Sequence, residues 1–202
     1  MKASVLLFSL LAPATALAAG PNFQYEYLEL GHLRAQPDGG PTGSGPYADF
    51  SYSIMDAIQF RAGYASLSYP LGVSYKDYSL GVTGEAAVND STDVYTDILY
   101  VNDRYDHLGH SVSDDGYRLA IGLRHRPWGW EWMELDGYLA HNYLGTGYSP
   151  GAGSQAVYLP QSSNEAGVGT MFNATHWLSL GVWVARDSTH NMSTSLKLRL
   201  YF

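Results

Sequence analysis

Charged side chains are scarce in this chain, and many of them occupy every second position of short apolar segments. They make up 15% of the 202 residues. Because alternate residues of a β-strand point to the same side of a sheet, this spacing would gather carboxylates and cations on one surface. Ions can pass along such a surface, or opposite charges can pair and close it. The candidates are Glu29, Arg61, Glu85, Asp97, Arg118, Arg124, Glu134, Asp136, Lys197 and Arg199.

The balance of these candidates, five acids and five bases, favours pairing. A buried charge without a partner is strongly destabilising, whereas matched charges can satisfy one another. We therefore predict a salt-bridged network that largely plugs the enclosed space. A narrow, charged ion path is the alternative.

A segment rich in aspartate and histidine offers oxygen and imidazole ligands for a divalent ion. It covers residues 103–115 and contains His107, His110, Asp114 and Asp115. It has neither the spacing of an EF-hand nor a helical His-x-x-x-His pair. A flexible polar loop is the better interpretation, and the sequence predicts no metal site and no cofactor.

Ester cleavage by residues of a strand would need a histidine and a serine two positions apart, with an acid nearby. His190 and Ser193 have the wrong spacing, and the adjacent His110 and Ser111 point to opposite faces of a strand. His141 has no serine partner of matching parity. No recognisable catalytic motif is present, so we predict that the protein is not an enzyme.

The elements that must position these residues are β-strands. Apolar and polar residues alternate with a period of two, most clearly in residues 195–202, 177–187 and 117–125. Short turn signals and longer Gly-, Pro- and Asp-rich segments follow one another along the chain. Ten strands are predicted, near residues 23–35, 47–55, 58–69, 77–88, 93–103, 116–125, 130–143, 164–173, 177–187 and 193–202.

An even number of strands, with both ends of the chain on the short-turn side, is typical of a transmembrane barrel. A soluble β-sandwich also alternates, but it must place charges on its outside. Here the polar faces are rich in Gly, Ser, Thr and Tyr, and aromatic residues gather at the strand ends. The predicted fold class is all-β, a single ten-stranded antiparallel transmembrane β-barrel.

Composition excludes several other classes. Aromatic residues reach 14%, which is too high for a disordered chain, and the net charge of −8 argues against a nucleic-acid partner. The absence of cysteine excludes disulfides, thiolate metal sites and a cysteine nucleophile. After the N-terminal segment, no apolar run is long enough for a transmembrane helix.

The N-terminus predicts export. Lys2 provides a positive start, residues 5–11 are mostly apolar, and Ala16-Leu17-Ala18 is a small-x-small cleavage site. We predict a signal peptide at residues 1–19 and a barrel domain at residues 20–202.

At this level the chain resembles the small outer-membrane β-barrels of Gram-negative bacteria, the opacity-protein and porin-like group, in a ten-stranded form. The resemblance covers residues 23–202 and rests on the first strand, residues 25–31, on residues 78–82 leading to the turn at 90–93, and on the terminal Phe202. Leu198, Leu200 and Phe202 look like the signal that such families present to the outer-membrane assembly machinery, although Lys197 stands where many members carry glycine.

The resemblance implies export through the periplasm to the bacterial outer membrane. It gives information about location and strand topology more than about activity. We expect a non-enzymatic, surface-exposed structural or interaction protein. A narrow ion-conducting pore is the alternative, and a lipid-modifying enzyme is a more distant one.

The expected partners are outer-membrane lipid, including lipopolysaccharide, and the assembly machinery; the partner of the loops is unknown. Basic residues end the lipid-facing side of four upward-running strands, and arginine binds phosphate in a bidentate manner. They would form a lipopolysaccharide-facing rim or simply be solvated. The residues are Arg34, Arg104, His141 and Arg186.

Overall fold

The computed structural model describes residues 22–107, 109–144 and 162–202, and the predicted signal peptide at residues 1–19 lies outside them. The described residues form a closed, ten-stranded antiparallel β-barrel, as predicted. Among them, no helix is long and apolar enough to cross a membrane. The strands are β1 (Tyr27–Gln36), β2 (Gly43–Met55), β3 (Ile58–Tyr69), β4 (Val73–Asn89), β5 (Thr92–His107), β6 (His110–His125), β7 (Met133–Leu144), β8 (Ser162–Asn173), β9 (Leu178–Asp187) and β10 (Met192–Tyr201).

The first and last strands close the barrel. β1 pairs with β2 on one side and with β10 on the other, and the second pairing places Glu29 opposite Arg199 and Leu30 opposite Leu198. Because each strand has a neighbour on both sides, none presents a free edge for another chain.

The outer surface of the barrel is apolar. Leu80, Ile121, Leu139, Val168 and Leu196 are each at least half exposed on it, with exposed fractions of 50% to 64%. Soluble monomers rarely expose so extended an apolar surface, whereas a transmembrane barrel turns such a band toward lipid. This observation excludes the soluble sandwich.

Aromatic rings flank the apolar band at both ends. On the loop side, the rings of Tyr117 and Tyr143 are stacked with their centroids 5.1 Å apart. On the turn side, four rings are in contact one after another, with centroid separations of 4.8, 5.0 and 6.2 Å, and they belong to Trp128, Trp130, Trp132 and Phe172. Two aromatic girdles around an apolar band characterise barrels of the bacterial outer membrane, which is where this protein resides.

Glycines allow large rings to cross the interior. A Cβ atom at Gly122 would lie 2.2 Å from Cζ of Tyr95, and one at Gly169 would lie 2.1 Å from Cε3 of Trp183. Any larger residue at either position would displace a ring that fills the interior. Narrow barrels are filled by side chains in this way.

β4, β5 and β6 are longer than predicted. They extend at the loop end into residues 73–76, 104–107 and 110–115, which the sequence pattern assigned to loops, and His107 pairs with His110 at the tip of the β5–β6 hairpin. The interpretation of this segment as a flexible polar loop is wrong. Sheet segments that meet water on both faces lose the apolar alternation from which a strand is predicted.

Candidate functional site

The interior of the barrel contains a cavity of about 510 Å³. Its lining extends from Gln36, Pro37 and Asn191 at the loop end to Tyr25 and Arg124 near the turn end. The volume is within the range of small-molecule sites, roughly 300–1,000 Å³. This cavity and its walls are the candidate functional site.

The β1–β10 seam contributes one ion-pair cluster. Arg199 Nη2 lies 2.7 Å from Glu29 Oε2, and Lys197 Nζ lies 3.1 Å from Glu29 Oε1. Arg199 also covers the ring of Tyr27 at 4.2 Å, and Lys197 lies 4.3 Å from the ring centroid of Trp183. A single buried carboxylate therefore holds two cations, both of which also stack on aromatic rings.

A second ion-pair cluster crosses from β3 to its neighbours. Arg61 Nη2 lies 3.0 Å from Asp49 on β2, and Arg61 Nη1 lies 2.7 Å from Asp97 on β5. Asp97 also accepts a hydrogen bond of 2.7 Å from Thr83. Because Arg61 bonds carboxylates on both sides, it ties one wall of the cavity together across four strands.

A third ion pair lies on the opposite wall. Arg118 Nη2 is 2.8 Å from Glu165 Oε1, and Arg118 Nη1 donates to Asn142 at 3.2 Å. Tyr138 donates a hydrogen bond to the same oxygen of Glu165, and its ring lies 5.0 Å from the Arg118 guanidinium. The pair joins β6 to β8 across β7.

A fourth cluster, of two arginines and two acids, lies at the turn end of the cavity. Arg124 Nε lies 3.8 Å from Asp136 and 4.0 Å from Glu134, and Arg126 Nη2 lies 3.2 Å from Glu134. Asp136 also accepts a hydrogen bond of 2.8 Å from Tyr95.

The remaining predicted acid, Glu85, is buried nearby and accepts a hydrogen bond of 2.5 Å from Gln59. All ten predicted residues thus either line the cavity or are buried around it.

Residues 22–25 precede β1 and enter the turn-side mouth. Phe23 and Tyr25 are both buried there, under the guanidinium groups of Arg126 and Arg124 at 4.3 and 4.5 Å from the ring centroids. The sequence pattern assigned this segment to the first strand, but β1 begins at Tyr27. Burial raises the pKa of Tyr25 well above its usual value, so its hydroxyl stays protonated and donates to Asp93.

The predicted balance of acids and bases is wrong, because carboxylates outnumber cations in the interior. The carboxylates that line the cavity or are buried around it are Glu29, Asp49, Asp77, Glu85, Asp93, Asp97, Asp103, Asp114, Glu134, Asp136, Glu165 and Asp187. The cations that line the cavity or pair with these acids are Arg61, Arg118, Arg124, Arg126, Arg186, Lys197 and Arg199.

Strand parity alone could have found several of the missed acids. Asp93 and Asp103 share the parity of Asp97 in β5 and therefore point inward with it. Asp114 was missed for a different reason, since it lies in the part of β6 that lacks apolar alternation.

The loop-side wall carries acids and tyrosines. Asp103 lies opposite Asp77 on β4 and opposite Asp114 on β6, and it accepts a hydrogen bond of 2.8 Å from Tyr75. The rings of Tyr75 and Tyr105 are 4.7 Å apart. Within residues 22–107, 109–144 and 162–202, no group of three or more acidic, histidine or cysteine side chains is arranged to hold a metal ion.

The four basic residues of the predicted rim have different environments. Arg34, Arg104 and Arg186 are exposed, and His141 is half-buried with its Nδ1 atom 2.9 Å from Oδ1 of Asn164. Arg186 lies at the edge of the cavity.

The rim residues also lie at different heights. Arg104 follows Tyr100 by four residues in β5, toward the loop end, whereas His141 precedes Tyr143 by two residues in β7. Contact with lipid phosphate is therefore a separate prediction for each residue.

The predicted assembly signal lies on the outer face of β10 and just beyond it. Leu198 pairs with Leu30 and Leu200 with Leu28 in the seam. Phe202 is 54% exposed, and its ring stacks on Phe50 at a centroid distance of 6.0 Å. The C-terminal ring is thus part of the turn-side aromatic girdle.

Comparisons with known proteins find similar structures and no sequence relatives. No family model and no curated protein matches the chain. It is similar to the NanC porin, at 10% identity and a TM-score of 0.47, covering 87% of this chain and all of that one. It is also similar to the β domain of the Bordetella autotransporter BrkA, at 11% identity and a TM-score of 0.49, covering 89% of this chain and all of that one.

A third similar structure is the Neisserial surface protein A, at 12% identity and a TM-score of 0.45, covering 91% of this chain and 99% of that one. The geometry of the chain itself, a closed barrel of ten strands with an apolar band and two aromatic girdles, defines it as a ten-stranded outer-membrane β-barrel.

Proposed function

We propose that the protein is a non-enzymatic outer-membrane barrel that does not conduct ions at rest and presents its loop end at the cell surface for a structural or interaction role. The observation that supports this proposal is the packing of paired charges and buried rings in the turn-side half of the interior. There, Arg124 and Arg126 face Glu134 and Asp136, and the buried rings of Phe23 and Tyr25 lie beneath the two guanidinium groups.

Reconstitution in a planar lipid bilayer tests this proposal. The barrel, refolded in detergent and checked by its heat-modifiable migration on a gel, is added to the bilayer in potassium chloride. A closed interior predicts a quiet baseline. Steady single-channel steps from the wild-type barrel contradict the proposal.

The second candidate is a narrow pore. The cavity of about 510 Å³ supports it, because this space already occupies the interior from the loop end down to Tyr25. The same bilayer experiment separates the two candidates. Closure is the better supported of the two, since the charges at the turn end are paired and the rings fill the space between them.

We further propose that exposed Arg34 and Arg186 contact lipid phosphates of the outer leaflet, and that Phe202 with Leu198 and Leu200 guides assembly. The exposure of the two arginine side chains at the loop end and of the Phe202 ring at the turn end supports these roles. Native mass spectrometry of Arg34→Gln and Arg186→Gln barrels in the presence of lipopolysaccharide tests the first. The outer-membrane level of a chain lacking Phe202 tests the second.

A further inference from the structure

The segment that closes the turn-side mouth is held by an unusually concentrated set of hydrogen bonds. Asp93 is completely buried and accepts from the backbone N–H of Asn22 at 2.9 Å, from the backbone N–H of Phe23 at 3.3 Å and from Asn22 Nδ2 at 2.9 Å. Tyr25 donates to it at 3.4 Å. A single carboxylate therefore binds three of the four residues of the segment, and hydrogen bonds to a charged group are the strong ones.

Two arginines complete the attachment. Arg126 Nη1 donates to the backbone oxygen of Asn22 at 3.2 Å, and Arg124 Nη1 donates to that of Gln24 at 3.3 Å. Both guanidinium groups also cover the ring of Phe23, at 4.3 and 5.6 Å. Gln24 Nε2 also donates to the backbone oxygen of Phe202 at 2.8 Å. The segment is thus attached by side chains of β5, of β6 and of Arg126 just after β6, and it forms no strand pairing of its own.

The segment lies between the cavity and the turn-side end. Tyr25 and Arg124 line the cavity, whereas Phe23 lies beyond its lining, under Arg126. Removal of residues 22–25 from this place would take two buried rings out of the mouth of the barrel. The cavity would then continue toward the turn-side water.

We propose that residues 22–25 form an N-terminal plug that gates a cation-preferring path through the barrel, with Asp93 and Arg126 as its latch. The inference rests on the proposed function, because a gate requires a barrel that is closed at rest. Cation preference follows from the excess of carboxylates over cations in the interior. Release of the plug is a local change, since the barrel closes through β1 and β10 without it.

Two substitutions release the plug by different means. Asp93→Asn keeps the shape of the side chain but turns one acceptor oxygen into a donor that faces the N–H groups of the plug. Asp90→Asn is the matched control, because it removes the same charge from an exposed position three residues earlier. Phe23→Ala removes the ring between the arginines while Asp93 is kept, and Phe172→Ala is its matched control, because it removes the same ring from the exposed outer face.

The movement of the plug can be followed independently of conductance. The chain contains no cysteine, so Gln24→Cys carries a single spin label on an exposed residue of the plug. We expect a restricted label in the otherwise wild-type barrel and in the Asp90→Asn barrel. In the Asp93→Asn barrel we expect the released fraction to rise about tenfold or more, the change that the loss of one charge-assisted hydrogen bond produces.

Bilayer recordings then decide the proposal. We expect no steps from the wild type and the two controls, single-channel steps from Asp93→Asn and Phe23→Ala, and a reversal potential of the cation-selective sign for Phe23→Ala in a potassium chloride gradient. A spin label that stays restricted in the Asp93→Asn barrel overturns the role of Asp93 as a latch. A plug that is released without single-channel steps overturns the gate. An anion-selective reversal potential overturns the cation preference of the path.

The wild-type recording keeps the two proposals apart. Steps from the wild type contradict the proposed function, and the gate then requires a higher open probability in Phe23→Ala than in Phe172→Ala. Equal open probabilities would overturn the gate as well. Heat-modifiable migration on a gel, measured for every variant, establishes that a barrel without single-channel steps is folded.

Discussion

In the turn-side half of the interior, carboxylates face cations and aromatic rings, whereas on the loop-side wall formed by β4, β5 and β6 they face tyrosine hydroxyls and one another. Glu29 holds Lys197 and Arg199 within 3.1 Å, while Asp103 lies between Asp77 and Asp114 and bonds Tyr75. Where aromatic rings exclude water, the strong partner of a buried charge is a group of opposite charge. Toward the loop end, the cavity allows hydroxyl groups and water to act as hydrogen-bond partners of the carboxylates. Clustered acids are thus tolerated on this wall without an equal number of cations.

The largest effect is expected at the seam. Glu29→Ala leaves Lys197 and Arg199 buried without their shared carboxylate, and removal of one partner of a buried pair costs about 3 to 5 kcal/mol. We expect the free energy of unfolding of the refolded barrel in urea to fall by about 3 kcal/mol, because the cavity admits some water. Glu26→Ala, outside the pair, is the control.

A charge exchange sharpens this prediction. Glu29→Arg combined with Arg199→Glu restores one ion pair at the same register, so it should recover part of the lost stability. A double variant as unstable as the sum of its single variants would show that the pair does not stabilise the seam.

A smaller effect is expected at Arg61. Arg61→Met leaves Asp49 and Asp97 without their shared cation, but the Arg61 side chain is 25% exposed, so water screens part of the loss. We expect about 2 kcal/mol in the same unfolding experiment, within the penalty for an unsatisfied charged group. Arg61→Lys keeps the charge and should lose less; a larger loss for lysine would mean that packing, not charge, dominates.

The loop-side wall should respond weakly. Tyr75→Phe removes the hydroxyl that donates to Asp103 but leaves the ring against Tyr105. Because water from the cavity can replace the hydroxyl, we expect a loss below about 1 kcal/mol. Tyr78→Phe, the same change on the outer face, is the control. A loss as large as that of Glu29→Ala would remove the contrast between the two regions.

The smallest effect is expected on the outer surface at the loop end. Arg104 is exposed and donates to Asp106 at 3.2 Å. Exposed pairs of this kind contribute little and are screened by salt, so Arg104→Gln should leave the unfolding midpoint unchanged at low and high ionic strength. A clear, salt-dependent shift would indicate that charge pairing stabilises the loop end as well.

Strand parity explains why part of the wall of the cavity could be predicted. Leu198 and Leu200 face outward because lipid requires an apolar face, and this alone places Lys197 and Arg199 inside. The pairing of Arg199 with Glu29 then follows from closure, since the last strand must lie beside the first. A lipid-facing pattern in the sequence thus predicts which charged side chains point into the barrel, even when they are far apart along the chain.

The loop end and the plug could not be predicted in the same way. Residues 104–107 and 110–115 are strands held by backbone hydrogen bonds, with little apolar burial to impose a pattern on their side chains. Phe23 and Tyr25 alternate as strand residues do, but their contacts with Asp93, Arg124 and Arg126 are made only in the folded barrel. The local sequence around these residues does not predict such long-range contacts.

In the proposed orientation, the paired ends of β5 and β6 also determine which surface another molecule can bind at the outside of the cell. Arg104 lies opposite Ser113, and Asp106 lies opposite Ser111, so neighbours in space come from two separate stretches of the chain. An antibody raised against the folded barrel would bind a conformational epitope composed of both strands. A linear peptide from either strand presents only half of that epitope, so a detection or vaccine reagent aimed at this tip requires the intact hairpin.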